Sequence, residues 1–238
     1  MLDDDPRSEF ARQLFNSYPG FKSTRALYLD FEGGGGFERI LSLFWPQKPG
    51  PQRFGLLWRV LADQSLGLDN AGLERLLELF DCHRELLEWV VVFSGGPDRP
   101  DEMDRFERVF GGSYFPRATW INLHRVLRDC WRLKRAIREH SFVWFSGDQK
   151  RIRYSLEALE WEFGLRRPPN LRSHSNSYCD GTTGQMNILE LEQKAFMGDA
   201  SEDEVDAILA YCKWDVSSMF RIARQCEKLI DRPPAGPA

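Results

Sequence analysis

The sequence predicts an α/β fold, a mixed sheet with helices packed against it, and three observations carry that expectation. Three strand-like runs, residues 25–32, 38–44 and 54–61, follow one another through short connections, as in an antiparallel meander. Trp89-Val90-Val91-Val92-Phe93 is a continuous apolar run of the kind found in a strand buried on both faces. Apolar residues at helical three- and four-residue spacing then recur toward the C-terminus.

Taken in order, residues 8–16 read as a short amphipathic helix with Phe10, Leu14 and Phe15 on its apolar side, stopped by Tyr18-Pro19-Gly20. The three strand-like runs come next, the last two separated by a proline- and glycine-rich turn at 46–51. Asp69 or Asn70 can cap a helix over 71–82, whose row Leu73, Leu76, Leu77 and Phe80 has helical spacing. Ser94-Gly95-Gly96-Pro97-Asp98 breaks the chain after the buried strand, and 101–110 reads as helix. A short strand over 119–123 is followed by a basic helix over 125–140, then the brief apolar run 142–145. Residues 154–163 form a helix stopped at Gly164, and 165–184 read as loop. In the last helix Ser201 and Glu204 make a capping box, and the helix runs to about residue 230 before a proline-rich tail.

Composition bounds the class. At 238 residues, 42% hydrophobic and 29% charged, the chain has the balance of a globular protein with a substantial core. No apolar run approaches the roughly 20 residues that cross a bilayer. The start, Met1-Leu2-Asp3-Asp4-Asp5, is acidic where a secretory signal would be basic, so a cytoplasmic location is expected. Cys82, Cys130, Cys179, Cys212 and Cys226 are odd in number and lack zinc-ligand spacing, which points to free thiols. Net charge is −4, yet residues 117–172 hold 13 Lys/Arg against 6 Asp/Glu, leaving 19 against 30 elsewhere. A basic segment in an acidic chain suits a nucleic-acid binder with an acidic centre, although charge runs are also ordinary solvated faces.

Two places carry acids that need an explanation. In Ala26-Leu27-Tyr28-Leu29-Asp30-Phe31-Glu32, followed by Gly33 to Gly36, alternation puts Asp30 and Glu32 on one face of a strand. Neighbouring carboxylates repel, and a hard divalent cation is a common way to offset this; a half-buried edge strand with solvated acids is the plainer alternative. In the last helix, Val205, Ile208, Cys212, Met219, Ile222, Cys226 and Leu229 form an apolar row whose missing member is Asp215. An acid in such a row is costly unless paired, hydrogen-bonded or ligated. A slightly rotated helix would instead expose Asp215 and bury Leu209, Val216 and Phe220. Tyr211 lies one turn before Asp215 on the same side.

Asp30-x-Glu32 in an early strand and Tyr211-x-x-x-Asp215 in a late helix resemble motifs I and III of the DEDD 3′–5′ exonucleases, within the ribonuclease H-like superfamily. The chain is most similar to YprB-type ribonuclease H-like nucleases. Tyr154-Ser155-Leu156-Glu157-Ala158-Leu159-Glu160 with Phe163-Gly164, and Ile208-Leu209-Ala210-Tyr211-Cys212-Lys213-Trp214-Asp215-Val216, add to the likeness, which spans residues 25–230. The resemblance implies a third aspartate after the buried strand, usually within Asn-x-x-x-Phe-Asp. Asp98 fits best, before Pro100 and Arg105, but the asparagine and phenylalanine are absent. Asp101 and Asp104 are close rivals and Asp148 a distant one. Ile121-Asn122-Leu123 also departs from the Asp-Leu common in relatives.

The resemblance implies a five-stranded mixed sheet with helices on both faces, residues 25–230 forming the nuclease domain between an N-terminal helical extension (1–24) and a disordered tail (231–238). It implies that Asp30, Glu32, Asp98 and Asp215 hold two Mg²⁺ or Mn²⁺ ions about 3.5–4 Å apart, for hydrolysis of single-stranded DNA or RNA. Tyr211 would orient the attacking water, since a phenol titrates near roughly 10. The glycines 33–36 would allow close approach of a nucleotide, or simply form a hairpin. The 117–172 segment would follow the phosphate backbone, and its aromatics Trp120, Trp131, Trp144, Tyr154 and Trp161 could stack bases, although most of the tryptophans are expected in the core. Two alternatives stand beside this: a catalytically decayed nucleic-acid-binding or scaffold module of the same fold, and a metal-independent interaction protein in which Asp215 is purely structural. No membrane partner is expected, and the sequence names no protein partner.

Overall fold

The structure is a computed structural model that describes residues 5–32, 40–44, 46, 54–57, 87–93, 103, 115, 117–140, 143–146, 149–152, 154–173, 176–177 and 184–231. Contacts divide the chain into two compact units. One comprises Met1–Ser23, Asn122–Asn187 and Ser218–Ala238, the other Thr24–Ile121 and Ile188–Ser217.

The unit holding Asp30 is built on a mixed sheet. Its strands are β1 (Ala26–Glu32), β2 (Ile40–Phe44), β3 (Phe54–Leu57), β4 (Trp89–Val92) and β5 (Thr119–Asn122), in the order β3-β2-β1-β4-β5. β1 pairs antiparallel with β2, which pairs antiparallel with β3, as the meander expectation has it. On its other side β1 runs parallel to β4, Ala26 opposite Trp89 and Tyr28 opposite Val91. β1 is therefore interior, and Ala26 through Leu29 are fully buried. Val90, Val91 and Val92 are buried as well, so side chains on both faces of β4 are covered and the doubly buried reading holds.

Two helices are described in this unit as well. α5 (Ile188–Met197), to which the sequence reading assigned no element, stops at Gly198, whose φ of 79° suits a residue without a Cβ. α6 (Glu202–Ile230) begins with the expected capping box. Ser201 Oγ accepts from the Glu204 N–H, and Glu204 Oε2 accepts from the Ser201 N–H at 2.9 Å. Lys194 on α5 donates to Glu204 Oε1 at 2.7 Å, and Ile188, Leu191 and Ala195 pack against Ile208 and Cys212 of α6. At 29 residues α6 is the longest described element; its part from Ser218 on belongs to the other unit.

That other unit is mainly helical. α1 (Pro6–Ser17) is capped by Asp5, has proline in its first turn, and buries Phe10, Ala11 and Leu14. It packs against α2 (Leu123–Asp129) and α3 (Trp131–Glu139). The expected single basic helix over 125–140 is in fact these two, broken at Cys130, whose backbone is extended. The break is held from a distance: Glu9 Oε2 of α1 accepts from the Arg132 and Leu133 N–H groups at 2.9 and 3.2 Å. A carboxylate at the start of α3 satisfies donors that Cys130 cannot, and it complements the helix dipole.

A small sheet in the order β7-β6-β8 joins β6 (Val143–Ser146), β7 (Gln149–Ile152) and β8 (Asn176–Ser177), all antiparallel. β8 lies within the stretch read from sequence as loop. α4 (Leu156–Glu162) starts at Ser155, whose hydroxyl accepts from the Ala158 N–H, and is followed by Gly164 at φ 73°. Glu227 near the end of α6 accepts from both the N–H and the hydroxyl of Ser23, at 2.7 and 2.8 Å, anchoring the chain just before β1.

The helices expected over 71–82 and 101–110 and the tail after residue 231 lie outside the described residues, apart from Met103, which is helical. Among the described residues no helix is long and apolar enough to cross a membrane.

Candidate active site

β1 supplies the first acid. Leu27, Leu29 and Phe31 lie on one face of the strand and are buried; Tyr28, also buried, shares the other face with Asp30. Asp30 is half-buried, where β1 nears its C-terminal end. Glu32 closes the strand opposite Ile40, two residues on and so at the same face register.

The residue paired with Asp30 across the β1–β2 ladder is Ser42. In an antiparallel pair directly opposite residues point to the same face, so a hydroxyl stands beside the carboxylate. Ser42 is fully buried, and its Oγ finds no hydrogen-bond partner among the described residues. An unsatisfied buried hydroxyl costs about 1–3 kcal/mol.

α6 supplies the other pair. Ile208, Cys212, Met219, Ile222 and Cys226 are all fully buried, and Asp215, in the same row, is only 5% exposed. The rotated-helix alternative is therefore excluded: the helix turns the row containing Asp215 inward. Tyr211, one turn earlier, is half-buried and packs against Ile208 and Cys212. α5 packs on these same residues, so the element missing from the sequence reading supports the turn that carries Tyr211.

Asp30, Glu32, Tyr211 and Asp215 thus belong to one unit, on β1 and on the N-terminal half of α6. Asp98, Asp101, Asp104 and Asp148 lie outside the described residues. Among the described residues no three His, Cys, Asp or Glu side chains form a metal-holding group. Of the four expected ligands, Asp30 and Asp215 are those whose side chains are described.

Carboxylate oxygens at Asp30 and Asp215 are ligands of the kind that Mg²⁺ and Mn²⁺ take. Burial pushes the Cys130 thiol up to about 12 and Cys226 well above its ordinary range, so both stay protonated and inert.

Compared with known proteins, the chain matches no family model, no curated protein and no solved structure.

Proposed function

We propose that this chain is a metal-dependent nuclease that hydrolyses phosphodiester bonds in single-stranded DNA or RNA, acting as a 3′–5′ exonuclease on a ribonuclease H-like fold. The observation that carries the reading is the burial of Asp215 within the apolar row of α6, in the same unit as Asp30 on interior strand β1. A carboxylate in such a row has to be held there, and a hard divalent cation is one of the things that can hold it. The antiparallel β1-β2-β3 meander, with β4 parallel beside β1 and β5 next in order, supports a five-stranded sheet of this type.

On this reading Asp30 and Asp215, with Glu32 and a third aspartate for which Asp98 fits best, would hold two Mg²⁺ or Mn²⁺ ions. When bound, such ions supply Lewis acidity toward the phosphoryl oxygens and lower the pKa of water. The chain's own part is placement. β1 fixes Asp30 against its neighbours through the ladders to β2 and β4. The Tyr211 hydroxyl, one helical turn from Asp215, orients the attacking water. The Ser42 hydroxyl, opposite Asp30 in the ladder, would be available to donate to a water in the site. The basic 117–172 segment binds the phosphates of the strand.

A second reading is favoured by one feature, the loss of the asparagine and phenylalanine expected around Asp98. It makes the chain a decayed module that binds nucleic acid or scaffolds without cutting. Incubating end-labelled single strands with the full chain in Mn²⁺, in Mg²⁺ and in EDTA separates the two. The nuclease reading expects stepwise shortening from the 3′ end that EDTA abolishes and Asp30→Asn removes. Intact strands under all conditions, with no Mn²⁺ binding by calorimetry, would instead establish the decayed module.

A further inference from the structure

The outer face of α3 holds a combination that the catalytic acids do not explain. Leu133 and Ile137 are buried and fix which side of the helix faces inward. Trp131, Arg135 and Arg138, at i, i+4 and i+7, then share the outer side and are all exposed. Trp131 is 59% exposed, an uncommon state for an indole. The Arg132 guanidinium lies 5.5 Å from its ring centre. At the other end Arg138 Nε donates to the Tyr154 hydroxyl at 2.7 Å, with its guanidinium 6.0 Å from that ring. Arg135 pairs with Glu139, but both side chains are more than 60% exposed, so the pair is weak and exchangeable. The exposed Arg125 and Arg128 of α2 add to the field, and 123–140 carries six Lys/Arg against two Asp/Glu.

We infer that this face is a binding surface for single-stranded nucleic acid, in which Trp131 stacks on a base while Arg135 and Arg138 take the adjoining phosphates. Charge complementarity selects a polyanion. The indole selects a single strand, because a base in an intact duplex offers no free face to stack on. A protein partner would need contiguous apolar area, and the exposed residues around Trp131 on α3 are charged instead. The stripe from Trp131 to Arg138 is roughly 10 Å long, enough for a few nucleotides. The inference deepens the nuclease reading, on which it rests for the origin of the strand. It places strand binding on α2 and α3, in the unit that does not contain Asp30.

The test is fluorescence anisotropy of short labelled oligothymidylate and oligouridylate with the full chain in EDTA, where no hydrolysis occurs, across a salt series. The expected result is that Trp131→Ala weakens binding about tenfold or more, whereas Trp131→Phe, which keeps a stacking face, retains most of it. Arg135→Gln with Arg138→Gln should reduce the salt slope by roughly one to one and a half. An intact duplex of the same length should compete poorly. Circular dichroism should match wild type in every variant and melting should change by no more than the surface contacts of Arg135 and Arg138 contribute, since the three side chains are exposed. Unchanged affinity and slope in all variants would overturn the inference. So would equal competition by polyglutamate, which would mark a mere cation patch or an acidic-protein site. Binding that depends on Trp131 in a chain that never shortens the strand leaves the surface standing and removes the nuclease reading. Shortening with no such dependence does the reverse.

Discussion

Ser218 Oγ on α6 donates to Glu160 Oε1 on α4 across 2.7 Å, with both residues almost completely removed from solvent. The same carboxylate receives a two-point contact from buried Arg167, Nε at 3.0 Å and Nη2 at 2.7 Å. Ser218 lies three residues beyond Asp215, so this bond helps fix the rotation of α6 about its axis. Ser218→Ala is expected to cost about 1–3 kcal/mol. Glu160→Gln should cost more, about 3–5 kcal/mol, because Arg167 loses a bidentate carboxylate and Glu157 at 3.5 Å does not replace it. Urea midpoints of the two variants give the ranking, and the reverse order would refute this view of the network.

Glu9 should matter to α3, although 123 residues separate it from Arg132. Glu9→Ala leaves the first N–H groups of α3 without that acceptor, and Cys130 makes no side-chain cap. A loss of about 1–2 kcal/mol is expected, with Glu9→Gln recovering part of it through its amide oxygen. Thermal melts of both variants check this. Equal melting of wild type and Glu9→Ala would mean the cap contributes nothing.

Stability should also fall on mild acidification. Burial, with the Arg128 guanidinium as the second cause, holds the His124 imidazole below its ordinary 6.5. Just below pH 6.5 the unfolded chain therefore takes up a proton that the folded chain refuses. The contribution is complete above 6.5 and is lost as pH falls toward the folded pKa. Urea unfolding at pH values from about 7.5 down to 5.5 should show a steeper decline for wild type than for His124→Gln. Parallel declines would remove His124 from the account.

These packing devices mark where sequence reading stops. β1, β2 and β4 were legible because their patterns are local: alternation around Asp30, and an unbroken apolar run over Val90–Val92. The start of α6 was legible from Ser201 and Glu204, which recognise each other within one turn. The break at Cys130 was not, because its cause is Glu9, distant in sequence and on another helix. β7, Gln149-Lys150-Arg151-Ile152, carries one aliphatic side chain and forms through pairing with β6, which no periodicity announces. The same division runs through the site. Asp215 stood out as the wrong residue in an otherwise apolar row, and burial bears out that row. Ser42 gave no signal, since only the register across β2 puts it opposite Asp30.

Tyr211→Phe isolates the hydroxyl. The ring packs against Ile208 and Cys212 and is retained, so stability should change by less than about 1 kcal/mol. Turnover on single strands should fall about 10- to 100-fold while Mn²⁺ affinity stays unchanged, as befits a group that orients water and holds no ion. A matching loss of metal affinity would make Tyr211 part of the ligand set instead.

The most direct measurement is the thermal melt of Asp215→Asn in EDTA and in Mn²⁺, run beside single-strand degradation. Asparagine keeps the shape and removes the charge. If Asp215 is a metal ligand, the variant should melt in EDTA at or slightly above the wild-type temperature, because repulsion among the acids is relieved. It should also lose the Mn²⁺-induced stabilisation and all nuclease activity. If Asp215 instead serves only the packing of α6, where it is 5% exposed, the variant should lose about 1–3 kcal/mol in EDTA. Early melting in EDTA together with normal degradation in Mn²⁺ would contradict the nuclease account.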